Sequence, residues 1–265
     1  MRFARIVSLL ATSAVLILAS GCTTAPAGSD ESVGSVAART DAAEQRARIR
    51  LQLAVGYYQQ GQPQTALDEL RQALQADPRM ADAYSLRGLI YMDMGENRLA
   101  EENFRRALEL TPNSPDYNNN YGWFLCQSER AAQSIAYFEK AIKDRTYRSP
   151  GKAYNNAGVC SLKLNDVKAA QRYFSLAFEH EPGNPSANLN LARIYYDQGA
   201  YERAHFHVGR VMKADVMTPD VLWLAIRIER KRGDRAAENM LAAQLRRLHP
   251  GSAEFAAYQR GAFDE

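Results

Sequence analysis

The feature that most constrains the fold of this chain is a repeat with a period of 34 residues. A proline recurs at the thirty-second position of the unit, and six units begin at residues 47, 81, 115, 151, 185 and 219. Every step is 34 residues except the third, which is 36. The prolines that set this register are Pro78, Pro112, Pro182 and Pro250. A period in this range predicts a stack of similar helical units, because one unit cannot bury its apolar face alone.

Small residues recur at the eighth and twentieth positions of the unit. They are Ala54, Gly88, Gly122, Gly158 and Ala192 at the eighth position, and Ala66, Ala100, Ser134, Ala170 and Ala204 at the twentieth. Small side chains let two helices approach closely, while larger groups beside them fill the remaining space. The pattern resembles the tetratricopeptide repeat, a pair of antiparallel helices. The resemblance implies an all-α fold, a right-handed superhelical solenoid of six repeats.

The ends of the units carry their own signals. Position 15 is glycine in four units and asparagine in the fourth, which suits a left-handed residue that ends the first helix. The sixth unit departs from the pattern at Ile226, Glu229, Glu238 and Ala242, as terminal units of a solenoid often do. After Pro250, Ser252 is a candidate N-cap, so we expect a C-terminal closing helix over the last unit.

The first 21 residues have the composition of a secretory signal. Arg2 and Arg5 precede an apolar stretch of about 14 residues, shorter than the roughly 20 of a spanning helix. The sequence "LASGC" then ends at Cys22 and resembles the bacterial lipobox, whose cysteine is acylated and becomes the first residue after cleavage. A plain cleaved signal or a short membrane anchor is the alternative. Several acyl chains on Cys22 would hold the protein on a membrane almost permanently.

Residues 22–43 are mostly small or polar and include no aromatic side chain. A segment of this composition buries little apolar surface, so it is predicted to be a flexible tether between the lipid anchor and the repeats. The repeat domain is then assigned to residues 44–265. If Cys22 is acylated, Thr23 in place of aspartate implies the outer membrane by the sorting rule of such lipoproteins.

No catalytic constellation, metal site or cofactor motif is found in the sequence. Four histidines occur, and the nearest pair is two residues apart on a predicted helix, so its members lie on different faces. They are His180, His205, His207 and His249. Without Arg2 and Arg5, 31 basic residues remain against 30 acidic ones, a balance that argues against nucleic acid as a partner. We expect neither an enzyme nor a small-molecule substrate.

The inner surface of such a stack is expected to be lined by helix A, the first helix of each unit. Positions 2, 5, 9, 12 and 13 of the unit are expected to face this groove. They supply the candidate partner residues Leu51, Val55, Tyr58, Leu89, Met92, Asn119, Trp123, Asn155, Val159, Leu162, Leu189, Arg193 and Tyr196. Asparagine both donates and accepts, which suits a peptide backbone. An alternative remains for three of these residues, which could belong to the apolar core and not to the groove: Leu51, Leu89 and Leu162.

Cys126 and Cys160 lie late in helix A of adjacent units. In an oxidising compartment they are a candidate disulfide, which would join the third and fourth units across the irregular turn "KDRTYRSPGK". Two reduced, buried cysteines are the alternative.

The segments "NNYGWFLCQ", "AIKDRTYRSPGKAYNNAGVCSLK" and "LRRLHPGSAEFAAY", together with the lipobox, resemble the type IV pilus biogenesis lipoproteins, the pilotins of the pilus secretin. The resemblance implies a non-enzymatic protein, lipid-anchored in the outer membrane and facing the periplasm. It implies the secretin subunit as partner, and a role in secretin localisation and multimerisation. Two other functions stay open: an envelope scaffold for peptidoglycan hydrolases or outer-membrane barrel assembly, and an enzyme with an unfamiliar site.

Overall fold

The computed structural model describes residues 30–263, and all regular secondary structure in that range is α-helical. The helices are α1 (Asp30–Gln59), α2 (Pro63–Ala76), α3 (Ala81–Asp93), α4 (Asn97–Leu110), α5 (Pro115–Gln127), α6 (Ala131–Lys143), α7 (Pro150–Lys163), α8 (Val167–His180), α9 (Pro185–Asp197), α10 (Tyr201–Lys213), α11 (Pro219–Arg232), α12 (Arg235–Leu248) and α13 (Ala253–Arg260). The tetratricopeptide-repeat solenoid predicted from the period is confirmed.

Each predicted unit becomes a pair of helices that pack against each other. Helix A of units two to six begins at Ala81, Pro115, Pro150, Pro185 and Pro219, within one residue of the predicted unit start. Proline at the first helical position costs nothing, because its missing N–H would have had no intrahelical partner there. Helix B of one unit then contacts helix A of the next, so the core runs along the stack.

Three glycines at position 8 are contact points between helix A and helix B. A Cβ built on Gly88 would lie 2.8 Å from the ring of Phe104, which stands at position 24 of the same unit. Gly122 has the same relation to Phe138, at 2.9 Å. In the first unit the pair is alanine and leucine, and both side chains are fully buried. The two positions therefore share one volume, and a larger ring at one requires a smaller residue at the other.

The sixth unit reverses this pair. Ile226 stands at position 8 and Ala242 at position 24, and both are buried in the same apolar cluster. The large and small partners have exchanged places, so the departure from the repeat pattern preserves the packed volume.

The sixth unit also buries two carboxylates where the repeat carries apolar or small residues. Glu229 is 3% exposed and pairs with Arg232 at 2.6 Å. Glu238 is equally buried and pairs with Arg230 and Arg235, each at 2.8 Å. Paired in this way, the buried charges are compensated, whereas removal of one partner would leave an isolated charge.

The turn that ends helix A has the left-handed conformation expected at position 15. Gly61, Gly95, Gly199 and Gly233 have φ between 72° and 82°, and Asn165 has φ 59°. In the third unit the same position is Glu129, with φ 62°. A glutamate in this region carries a steric cost that glycine avoids.

The first helix begins at Asp30, so residues 30–43, which belong to the predicted flexible tether, are helical. This stretch has no proline and includes Ala37, Ala38, Ala42 and Ala43, and alanine is the strongest helix former. A composition that predicts little burial of apolar surface therefore does not exclude a helical conformation. The compact unit that holds the repeats begins at Ala43. The predicted signal and Cys22 lie outside the described residues.

The predicted closing helix is present as α13. Its N-cap is Ser252, whose hydroxyl accepts a hydrogen bond from the Phe255 N–H at 3.1 Å. The helix packs against α11 and α12 and ends at Gly261, which has φ 69°. None of the helices between residues 30 and 263 is both long and apolar enough to cross a membrane.

Candidate partner-binding face

We define the helix-A face as the surface formed by the first helices of the units, α1, α3, α5, α7, α9 and α11. From α3 to α11, each of these helices contacts the next one along the stack. Residues at corresponding positions of successive units are therefore neighbours on a continuous surface, which is the property that a repeat protein uses to bind an extended partner.

Most of the predicted groove residues lie at the edge of the core, partly buried and partly open. These are Leu51, Tyr58, Leu89, Met92, Trp123, Asn155, Val159, Leu162 and Leu189. Val55 and Arg193 are exposed. Two residues differ from the expectation: Asn119 is 1% exposed and Tyr196 is 9% exposed. Asn119 is thus not free to meet a partner, because it is enclosed between neighbouring helices.

Asn119 belongs to a ladder of polar side chains that crosses three units. Its Oδ1 accepts a hydrogen bond from Asn156 Nδ2 on α7 at 3.0 Å, and its own Nδ2 donates to Asn120 at 3.4 Å. Asn120 Nδ2 in turn donates to Ser85 Oγ on α3 at 3.2 Å. An amide both donates and accepts, so it can link two neighbours at once. The ladder holds α3, α5 and α7 in register. The adjacent Asn155 Oδ1 is buried and has no hydrogen-bond partner among the described residues.

A second kind of asparagine fastens the loop that enters helix A. Asn118 Nδ2 donates to the carbonyl oxygens of Pro112 at 3.1 Å and Ser114 at 2.7 Å. Asn188 makes the same bond to Pro182, at 3.0 Å. The run of three asparagines in "NNNYGW" therefore serves two structural tasks, and its poor helix propensity is offset by these bonds.

Tyrosine and aspartate link other neighbouring units. Tyr117 on α5 donates to Asp82 on α3 at 2.5 Å, and Tyr58 on α1 donates to Asp93 on α3. Burial raises the pKa of Tyr58, and the hydrogen bond to Asp93 raises it further. The Tyr58 hydroxyl therefore stays protonated and remains a donor throughout the range in which the protein would work.

Cys126 and Cys160 form a disulfide between α5 and α7. Their Cα atoms are 5.8 Å apart, and both residues are fully buried. Beside them, Lys163 Nζ donates to the Cys126 carbonyl oxygen at 3.2 Å and to Gln127 Oε1 at 2.9 Å. The disulfide and these two hydrogen bonds join α5 of the third unit to α7 of the fourth. The longer turn lies between them in the sequence, after α6.

Three of the four histidines contact oxygen atoms of the protein. His207 is buried and bonded to Asn188 Oδ1 at 2.9 Å. His205 lies 2.5 Å from Glu229, and His249 lies 2.7 Å from the Met217 carbonyl oxygen. Within the part of the chain that the structure describes, no group of three or more His, Cys, Asp or Glu residues could hold a metal ion.

A cleft of about 280 Å³ opens between α9, α11 and α13 on the helix-A face. Its lining combines two predicted residues, Arg193 and Tyr196, with residues that the sequence analysis did not select. The latter are Asp197, Asp220, Trp223, Leu224, Arg227 and Glu254. Asp220, Trp223 and Arg227 are positions 2, 5 and 9 of the sixth unit, so the rule used for the first five units would have found them.

The stacked antiparallel helix pairs and their glycine–phenylalanine contacts define a tetratricopeptide-repeat protein. Tetratricopeptide-repeat families match residues 56–95, 81–114 and 161–224 of the chain.

A narrower family is shown by individual relatives. The chain is 30% identical over 222 residues to the type IV pilus assembly protein PilF of Pseudomonas aeruginosa, over 83% of this chain and 88% of PilF. The crystal structure of PilW, a widely conserved type IV pilus biogenesis factor, matches with a TM-score of 0.72 at 34% identity, over 80% of this chain and 98% of PilW. The solved structure of Pseudomonas aeruginosa PilF matches with a TM-score of 0.79 at 28% identity, over 83% and 99%. The chain therefore belongs to the tetratricopeptide-repeat family that includes PilF and PilW.

Proposed function

We propose that this chain is a lipid-anchored adaptor that binds subunits of the type IV pilus secretin and promotes their localisation and multimerisation at the outer membrane. The observation that carries the proposal is the similarity to PilF over 222 residues. PilF is a type IV pilus assembly protein and PilW a type IV pilus biogenesis factor. A chain that shares their family and nearly their full length is expected to act in the same process, type IV pilus biogenesis.

The helix-A face supports a protein partner. Val55 on α1 is 37% exposed, and Trp123 on α5 is partly buried against the core formed around the disulfide. Partly exposed aromatic and aliphatic side chains are the usual anchors of an interface, since they remove apolar area from water at a low cost in side-chain entropy. The polar ladder holds α3, α5 and α7 in place before binding, which reduces the ordering cost of association.

The lipid anchor at Cys22 would bring a bound partner to the membrane. An acylated Cys22 would keep the repeats next to the membrane, and several chains give binding that is effectively permanent compared with a single chain. A partner bound on the helix-A face is then carried to the same membrane without any chemical step. We therefore propose an outer-membrane protein that faces the periplasm and is not an enzyme.

The proposal is tested by recovery of secretin from detergent-solubilised envelopes on the purified mature chain. We expect wild type to recover secretin, and Trp123→Ala and Asn155→Ala to recover less. The matched control is Met240→Ala on α12, a helix B residue that is 60% exposed and away from the helix-A face. It should bind as wild type.

One outcome would contradict the proposed partner, and another would contradict only the placement of the contact. Recovery of no secretin by wild type would exclude the partner. Equal recovery by wild type, Trp123→Ala and Asn155→Ala would leave the partner and move the contact away from these residues.

A further inference from the structure

The cleft between α9, α11 and α13 is built from a rigid aromatic floor. The guanidinium of Arg227 lies 4.6 Å from the centroid of the Tyr196 ring, and its Nε donates to the Tyr196 hydroxyl at 3.3 Å. Trp223 stacks on Phe263, with the ring centroids 5.3 Å apart. Each aromatic ring is thus held by a second group, so the floor is formed before any ligand arrives.

The charged side chains around this floor differ in whether they have an ion-pair partner. Arg193 pairs with Asp220 at 2.6 Å, and Arg227 is engaged by Tyr196. The carboxylates of Asp197 and Glu254 also line the cleft, and neither has an ion pair among the described residues. Arg193 is therefore neutralised by Asp220, whereas the charge of Arg227 has no carboxylate partner among the described residues. Three carboxylates and two guanidinium groups line the cleft, so its charge is negative by one and favours a cation.

The size of the cleft limits what it can hold. A volume of about 280 Å³ lies just below the range of typical small-ligand pockets, roughly 300 to 1,000 Å³. It has room for one or two side chains of a longer molecule and not for a folded domain. The rest of the helix-A face, from α3 to α9, continues from the cleft and would accommodate the flanking chain.

We propose that this cleft binds a basic side chain, lysine or arginine, next to an apolar residue in an extended segment of the protein partner. The cation would lie over the Trp223 ring, between the carboxylates of Asp197 and Glu254, and the apolar neighbour would contact Leu224. An aromatic face and two carboxylates all attract a cation, and they repel a carboxylate. The inference rests on the proposed function for the identity of the partner, but its chemistry can be tested without it.

The test uses the full mature chain in detergent and three capped pentapeptides, Ala-Leu-X-Leu-Ala, in which X is lysine, glutamine or glutamate. The protein carries Trp123→Phe, which leaves Trp223 as its remaining tryptophan and therefore as a fluorescence reporter in the cleft. We expect the lysine peptide to bind roughly tenfold more tightly than the glutamine peptide, from the sum of two screened charge contacts and one cation–π contact. The glutamate peptide should bind most weakly.

The deciding variant is Asp197→Asn combined with Glu254→Gln, which keeps the size and removes the charge. It should lose the preference for lysine and keep the affinity for the glutamine peptide. The matched control is Glu179→Gln on α8, an exposed acid outside the cleft, which should keep the preference. Equal binding of the lysine and glutamine peptides, stronger binding of the glutamate peptide, or an unchanged preference in the double variant would overturn the inference.

Secretin recovery then separates the two proposals. Here the double variant keeps Trp123. If wild type recovers secretin and this double variant recovers as much, the cleft does not contribute to this partner and the inference fails, while the proposed function stands. If wild type recovers no secretin but the charge preference for the peptides is observed, the proposed function fails and the cleft retains its assigned chemistry.

Discussion

Gly158 on α7 lies directly against the ring of Phe174 on α8, so that a Cβ at Gly158 would be 2.7 Å from the ring. A Cβ is essentially never found this close to another heavy atom, and Phe174 is fully buried. The close crossing of helix A and helix B in the fourth unit therefore depends on the absence of one methyl group.

Gly158→Ala is expected to lower the free energy of unfolding by about 1 to 3 kcal/mol, because the overpacking exceeds the gain in helix propensity. Combining it with Phe174→Leu should recover part of the loss, since the pair then matches Ala54 and Leu70 in the first unit. The control is Gly209→Ala on α10, where an added Cβ meets nothing within 4 Å and should stabilise slightly. Urea unfolding of wild type, Gly158→Ala, Phe174→Leu and the double variant measures the coupling, with Gly209→Ala as the control, and additive losses in the double variant would contradict a shared volume.

The disulfide is expected to stabilise the middle of the stack. Replacing Cys126 and Cys160 together by alanine should lower the unfolding free energy by about 3 to 4 kcal/mol, because the bond closes a loop of about 35 residues in the unfolded chain. Wild type in a reducing agent should shift its urea midpoint in the same direction. The double variant should not respond to the reducing agent, and a response of equal size would show that the shift has another source.

The repeat pattern predicted the helix pairs correctly. Helix A and helix B can approach closely only where the side chains are small, so the recurring small residues mark the contact in each unit. Gly122 could be identified as a contact point from its position alone. The exchange of Ile226 and Ala242 could not, because the shared volume becomes visible only when two positions sixteen residues apart are compared as a pair. Asn119 was placed on the right face, but its burial depends on Asn156 in the next unit, which a rule for single positions does not include.

Glu129 shows a different limit of the sequence. At position 15 glycine occurs in four units, yet the third unit has a glutamate with the same left-handed backbone, φ 62°. The conformation is imposed by the neighbouring helices and not by the residue itself.

Glu129→Gly should therefore raise the unfolding free energy by about 1 kcal/mol, because it removes the steric cost of a side chain at positive φ. Gln72→Gly on α2 is the matched control, because Gln72 is exposed within a helix. This substitution should lower the unfolding free energy by about 0.5 to 1 kcal/mol. Thermal and urea unfolding of both variants report the opposite signs. A loss of stability in Glu129→Gly would mean that the glutamate side chain contributes more than its backbone costs.

His207 makes the stability of the fifth unit dependent on pH. Burial, with a smaller effect from the charge of Arg210, lowers the pKa of His207 from about 6.5 to about 4. The unfolded chain thus binds a proton at this residue below about pH 6.5, whereas the folded chain does so only near pH 4. The folded state loses stability as the pH falls through this interval, by about 2 kcal/mol at pH 5 relative to pH 7 from this group.

His207→Gln removes the titrating ring but can still donate to Asn188. Its unfolding free energy should therefore fall less than that of wild type between pH 7 and pH 5, by about 2 kcal/mol. Urea unfolding at both pH values measures the difference, and an NMR titration of the ring in folded wild type should show it neutral until about pH 4. A variant that follows the wild-type pH dependence, or a ring that protonates near pH 6.5 in the folded protein, would show that His207 is not the group responsible.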